Sequence, residues 1–133
     1  YAHPESLFVA GFIGKVNALP AEVVRVDRDE VTASFGATSF TVSRPNIPVA
    51  AGQRVSLLIR PESVDLSSEP DGPAPRGRIA QVTYLGEKVE YDIECAGAQL
   101  KAVSFDPARH GIFAQGQDVY LRMQGGSMIL TDQ

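Results

Sequence analysis

The sequence is short of the residues that carry most protein chemistry. One cysteine and two histidines occur among 133 residues. A lone Cys95 closes no internal disulfide. It falls on the apolar phase of Val89, Tyr91, Ile93 and Cys95, where a thiol is expected to be buried and inert rather than nucleophilic. His3 and His110 have no Cys or His neighbours at ligand spacing, so each reads as a surface or loop histidine and not as part of a zinc site. No phosphate loop, zinc motif or dinucleotide fingerprint is present. No apolar run approaches the roughly 18–20 residues that a membrane-spanning helix requires. The N-terminus lacks the basic, long-apolar, small-residue pattern of a signal peptide. Positive charge is scarce as well: 12 Lys and Arg stand against 16 Asp and Glu, for a net charge of −4 and a pI of about 5.1. A general nucleic-acid binder needs a cationic surface to neutralise phosphates, and this balance argues against one. The chain starts at Tyr1 and not at Met, which reads as a fragment or a processed product.

What the sequence does contain is a repeat. Gly52-Gln53-Arg54-Val55-Ser56-Leu57-Leu58-Ile59-Arg60-Pro61-Glu62-Ser63-Val64-Asp65-Leu66 returns as Gly116-Gln117-Asp118-Val119-Tyr120-Leu121-Arg122-Met123-Gln124-Gly125-Gly126-Ser127-Met128-Ile129-Leu130, at a constant offset of 64 residues and with six of fifteen positions identical. Both copies open on a Gly turn and run into alternating strands, Val55/Leu57/Ile59 and Val119/Leu121/Met123. Alternation of this kind buries one face of a strand and wets the other. Both then break, at Pro61 or at Gly125-Gly126, and resume at Val64–Leu66 or Met128–Leu130. A shared turn, break and tail imply two copies of one small β unit.

Around these copies the period is two almost throughout. Residues 22–26, 30–35, 38–43 and 54–60 read as strands of a first half. Residues 78–85, 88–95, 99–105, 118–123 and 127–130 read as strands of a second half. β-branched and aromatic residues dominate, with turns at Gly36-Ala37, Gly86 and Ala96-Gly97. Residues 44–51 form a Pro-containing loop, and 106–115 read as an irregular connection. The stretch 67–75, Ser-Ser-Glu-Pro-Asp-Gly-Pro-Ala-Pro, cannot form a ladder and is the joint between halves. Only residues 4–13 read as a helix, with Pro4 and Glu5 in the first turn and Gly14 as the stop. Its apolar residues Leu7, Phe8, Val9, Phe12 and Ile13 either pack on the rest of the domain or form an interface. The expected fold is all-β: duplicated OB-type small barrels with one short N-terminal helix. The expected division is 1–14 helical linker, 15–66 first OB-like half, 67–75 joint and 76–133 second OB-like half, with strands open to exchange between the halves.

Candidate chemistry is thin. Ser104, Asp106 and His110 lie close in sequence, but closeness in sequence is no evidence of triad geometry. Arg60 and Glu62 flank Pro61 in a way that suits an ion pair or a turn cap. Glu87, Glu90, Asp92 and Glu94 read as a solvated strand face and turn, and do not converge as metal ligands do.

Three motifs resemble one family. Pro4-Glu5-Ser6-Leu7-Phe8-Val9-Ala10-Gly11-Phe12-Ile13-Gly14, followed by Asn17 and Leu19, resembles the segment just after the nucleotide-binding domain in ATPase subunits of bacterial ABC importers. Ile59-Arg60-Pro61-Glu62 is similar to the Arg-Pro-Glu motif of their C-terminal regulatory domain. Tyr84-Leu85-Gly86, with Tyr91 downstream, is similar to the matching motif of its second half. The resemblance covers the whole chain and points to the spermidine/putrescine, ferric-iron and sugar importer group, whose C-terminal region is the transport-associated OB (TOBE) domain. It implies a regulatory and dimerisation domain that is cytoplasmic and peripheral to the inner membrane. The implied partners are a second copy, the ATPase domain of the same subunit and the membrane permease subunits, with no nucleic acid. It also implies no cofactor in this chain, because ATP and Mg belong to the missing ATPase domain, and no catalytic, cofactor-binding or metal-binding residue. Arg60, Pro61, Glu62, Tyr84, Leu85 and Gly86 are then structural motif residues, and Leu7, Phe8, Phe12 and Ile13 are interface residues.

Two other readings stand beside it. The first is an oxyanion or small-ligand sensor, for which Arg44, Arg60, Arg76, Arg78 and Arg109 are scattered rather than gathered. The second is an OB-type nucleic-acid binder, which stacks bases on exposed aromatics. Phe35, Phe40, Tyr84 and Tyr91 are expected on core or mixed strand phases, which does not suit that role.

Overall fold

The computed structural model describes residues 15–132. The helix expected over 4–13, with Leu7, Phe8, Phe12 and Ile13, lies outside the described residues. Ten strands form two five-stranded sheets. In chain order these are β1 (Asn17–Val26), β2 (Glu30–Phe35), β3 (Thr38–Ser43), β4 (Arg54–Ile59), β5 (Asp65–Ser67), β6 (Arg76–Leu85), β7 (Lys88–Cys95), β8 (Ala98–Ser104), β9 (Asp118–Arg122) and β10 (Met128–Asp132). Two 3-10 turns, η1 (Pro61–Ser63) and η2 (Gly125–Ser127), sit at the shared break, and one four-residue helix, α1 (Pro107–His110), follows β8. The first sheet runs β10-β4-β1-β2-β3 and the second β5-β9-β6-β7-β8. All pairings are antiparallel.

Each sheet therefore contains one strand from the other half, and the trade is reciprocal. β10 pairs with β4 through Ile129↔Leu58, Leu130↔Leu57 and Thr131↔Ser56. β5 pairs with β9 through Asp65↔Arg122, Leu66↔Leu121 and Ser67↔Tyr120. Adding the repeat offset to one register produces the other. Each sheet also curls until its edges approach, with η2 packed on β3 and η1 packed on β8. The result is two small barrels whose strand order and exchanged registers match at the repeat offset.

The repeated Gly-Gln pair explains how each barrel turns its corner. Gly52 and Gly116 both adopt left-handed backbone, φ 87° and 86°, which costs a glycine little and other residues much. Gly52 N–H donates to Val23 O at 2.7 Å, and Val23 N–H donates to Gln53 O at 2.9 Å. Gly116 N–H donates to Ile79 O at 2.7 Å, and Ile79 N–H donates to Gln117 O at 2.9 Å. In both turns the Gln side chain accepts a backbone N–H three residues back, from Ala50 at 3.0 Å and from Ala114 at 2.9 Å. Opposite each turn the long strand is bulged, after Val23 in β1 and after Ile79 in β6. A bulge bends a strand and deepens its twist, as a tight barrel requires.

Val55, Leu57, Ile59, Val119 and Leu121 are fully buried and Met123 nearly so, within one core that draws on both sheets. Burying such side chains is worth roughly 1.5–3 kcal/mol each. β1 starts five residues earlier than the sequence pattern suggests, and it carries Pro20. The proline is tolerated because β2 pairs only from Glu22 onward, so residues 17–21 have a ladder on the β4 side alone. Its early start is held by Asn17. The side chain donates to Lys101 O and accepts from Lys101 N–H, both at 2.8 Å, which ties β1 to β8 across the two sheets. The connection after β8, expected to be irregular, contains α1, because Pro107 suits a first helical turn.

Candidate functional site

The two halves differ most in the connection that precedes β4 and β9. The loop between β8 and β9 is three residues longer than its counterpart between β3 and β4 and carries α1. Where η1, β5, β7, β8 and this loop meet, they enclose a cleft of about 490 Å³, within the usual range of small-ligand pockets. At the matching place in the other barrel, η2 closes directly on β3. Gly125 lies so close to Thr41 that a side-chain carbon there would run into the Thr41 carbonyl.

The cleft is apolar inside and acidic at its rim. Val64, Leu66, Tyr91, Ala102 and Phe113 form the interior, and Glu62, Asp65 and Asp106 stand around it. Tyr91 is 1% exposed and stacks edge-to-face on Phe113 with ring centroids 5.8 Å apart. Its hydroxyl oxygen accepts the Phe113 N–H at 3.1 Å. Phe105 at the mouth is 62% exposed and already carries the Lys88 ammonium 5.7 Å from its ring centroid, a cation–π distance. Arg122, paired across the ladder with Asp65, turns its guanidinium to Asp71 at 2.9 Å.

A separate charge network covers the outer face of β7 and β8. Lys101 bridges Asp92 at 2.6 Å and Glu90 at 3.1 Å, and Lys15 reaches Glu90 at 3.4 Å. The hydrogen bond from Lys101 holds the Glu90 carboxyl below its ordinary range, and the bonds to Asp92 and Glu90 raise the Lys101 ammonium. The expected solvated face is thus half-buried at Glu90 and Asp92. Among the described residues no three His, Cys, Asp or Glu lie close enough together to hold a metal ion. Burial pushes the Cys95 thiol up to about 11.

The motif residues separate. Pro61 is buried at the first position of η1, Arg60 is its N-cap residue without a side-chain cap bond, and Glu62 lines the cleft. Tyr84, Leu85 and Gly86 form the tip of the β6–β7 hairpin, with Tyr84 64% and Leu85 45% exposed. The alternating phase places Tyr84 in a core or mixed position, and this differs from the structure for a tertiary reason. β9 pairs only with Arg76–Arg78 of β6, so beyond them β6 has no second ladder neighbour among the described residues. Phe35, Phe40 and Tyr91 are buried, which leaves Tyr84 alone of these four available for stacking. Ser104 and Asp106 line the cleft. Sequence reading missed the cleft as a site, and its one local signal is the longer, Pro-started loop between β8 and β9.

Fold and site together define a duplicated OB-type barrel protein with an asymmetric cleft and exchanged tail strands. The chain belongs to the TOBE domain family, whose model matches residues 57–130. It is 39% identical over 109 residues to the spermidine/putrescine import ATP-binding protein PotA of Frankia alni, covering 73% of this chain and 23% of that protein. It is 32% identical over 127 residues to PotA of Ruegeria pomeroyi, covering 94% and 34% respectively. With the Fe(3+) ions import ATP-binding protein FbpC of Brucella abortus the figures are 29% over 133 residues, 100% of this chain and 36% of that protein. The chain thus spans about a third or less of these curated relatives, and it corresponds to a TOBE domain and not to an ATPase domain. Among solved structures it is similar in fold to the cytoplasmic molybdate-binding protein ModG with molybdate bound, at TM-score 0.72 and 15% identity, covering 88% of this chain and 96% of that one.

Proposed function

We propose that this chain is the C-terminal regulatory and dimerisation domain of the ATP-binding subunit of an ABC importer, and that it is not catalytic by itself. The observation that carries this reading is its alignment, over 94% of its length, with a protein named as an import ATP-binding subunit. In such a subunit it would sit on the cytoplasmic side of the membrane beside its own ATPase domain, contact permease subunits and pair with a second copy. The relatives are named for different cargoes, so the reading stops short of a substrate. Two measurements on the chain test it. Thermal melts with Mg-ATP should show no stabilisation, because no phosphate loop occurs in the sequence. Sedimentation should show a dimer at high micromolar concentration, with the double variant Phe8→Ser, Phe12→Ser reporting whether residues 4–13 contribute. A nucleotide-dependent rise in Tm, or a monomer throughout, counts against it.

The likeness in fold to ModG favours a second reading, an oxyanion-sensing domain. Titration calorimetry with sodium molybdate separates the two, since stoichiometric binding favours the sensor.

A further inference from the structure

We propose that Asn17, Lys101 and Glu90 form a two-point latch, which seats the chain entering β1 on the outer face of the second barrel and so fixes the direction in which it enters. Under the function proposed above, the chain before this point leads from the ATPase domain, and the latch then sets the angle between that domain and the barrels. The latch itself is read from this chain alone and is tested on this chain alone, so its failure and the failure of that reading are distinguishable.

The first point of attachment is Asn17. Residues 17–21 of β1 have a ladder partner on the β4 side alone, and Asn17 turns its carboxamide to β8, an edge strand of the other sheet. Its Nδ2 donates to Lys101 O and its Oδ1 accepts from Lys101 N–H, both at 2.8 Å. The side chain thus stands in for one residue of a ladder neighbour. It satisfies a donor and an acceptor that an edge strand otherwise leaves to water. Asn17 is 6% exposed. Aspartate in its place would offer no donor, and leucine neither group.

The second point is Lys15, two residues earlier. Its ammonium reaches Glu90 at 3.4 Å, and the Lys101 ammonium holds Glu90 at 3.1 Å and Asp92 at 2.6 Å. Lys101 therefore serves both points: Asn17 through its backbone, and Lys15 through its side chain and Glu90. A single attachment lets the chain swivel about it, whereas two attachments referred to one residue of β8 do not. The two differ in kind. The Asn17 bonds are buried, while the Lys15 side chain is 67% exposed, so its ion pair is weak and open to screening by salt.

The repeat does not reproduce this set. Matching the bulges after Val23 and Ile79 puts Pro73 in the place of Asn17. Matching the hairpin pairs Phe35↔Thr38 and Cys95↔Ala98 puts Thr41 in the place of Lys101, Thr32 in that of Asp92 and Glu30 in that of Glu90. There the two threonine hydroxyls simply share a hydrogen bond at 3.2 Å, and proline has no carboxamide to offer. The latch stands only where the preceding chain enters, which marks it as a device of that junction and not of the barrel fold.

The test is backbone amide relaxation by NMR on the chain and its variants, with circular dichroism to establish that each folds. In the parent chain Lys15 and Val16 should be rigid, with order parameters near about 0.85. Asn17→Ala should bring both below about 0.6 and leave residues 22–26 of β1 unchanged. Lys101→Met keeps the backbone seat of Asn17 but removes the ammonium, and should loosen Lys15 while sparing Asn17. Glu90→Gln should do the same, and Lys101→Arg should keep Lys15 ordered. Sodium chloride at about 0.5 M should act on Lys15 as Lys101→Met does. Glu30→Gln, the counterpart position in the other barrel, should change nothing. A mobile Lys15 in the parent chain, no local loosening in Asn17→Ala, a Lys15 indifferent to both Lys101→Met and Glu90→Gln, or a loss of order spread evenly along β1 would each overturn the proposal.

Discussion

At the scale of single residues, the two glycines of η2 make a sharp contrast. A side-chain carbon on Gly125 would collide with the Thr41 backbone, which has no flexible end to move aside, whereas one on Gly126 would meet nothing within 4 Å. Gly125→Ala should therefore cost about 3 kcal/mol or more, with Gly126→Ala close to neutral, as read from urea denaturation midpoints. Cys95 supplies a second residue-scale prediction. Its thiol is raised to about 11 by burial, so the folded state holds the proton where an unfolded chain, with an ordinary thiol near about 8.5, gives it up. The sign follows from linkage. The contribution is complete below the unfolded value and declines as pH rises toward about 11. Cys95→Ser should flatten that alkaline decline, and a thiol reagent at pH 8 should leave the native parent unlabelled. Rapid native labelling would show that the thiol is reachable.

At the scale of elements, the reciprocal trade of β5 and β10 matters most. Either half on its own lacks one strand of its sheet and leaves an edge open, which is a costly state for a small barrel. We expect the two exchanged pairings, rather than the covalent joint over 68–75, to hold the halves together. Cutting an engineered protease site between Pro70 and Pro73 should leave the two fragments together on size exclusion under native conditions. They should separate only in denaturant. Spontaneous separation in buffer would mean that the β5–β9 and β10–β4 ladders are weaker than their register implies.

At the scale of the whole molecule, the barrels share one connected core as well as strands. Two barrels so joined should melt as one unit, with calorimetric and van't Hoff enthalpies in agreement. Leu57→Ala and Leu121→Ala remove equivalent, fully buried side chains from opposite barrels. Each should cost about 2–5 kcal/mol and shift the same single transition. A second transition appearing in only one of these variants would show that the barrels unfold separately.

The strands, their phases and the duplication were legible in the residues because each rests on local physics. Alternation decides which face of β4 or β9 is buried, and Gly52 and Gly116 permit backbone that few other residues adopt. Strands β2, β3 and β7 begin and end where the pattern places them. Even the internal repeat, with its turn, strand, break and tail, is a one-dimensional signal. Three things needed the tertiary structure. Pairing of β5 with β9 and of β10 with β4 joins segments more than fifty residues apart, and no local propensity selects between partners of equal quality. The exposure of Tyr84 depends on what packs over the tip of the β6–β7 hairpin, which lies outside β6 altogether. The cleft lies where the longer loop after β8 meets η1 and β5, while in the other barrel Gly125 lets η2 close against the Thr41 backbone of β3. Unpaired carboxylates on segments distant in sequence gather at one rim only once both barrels have closed.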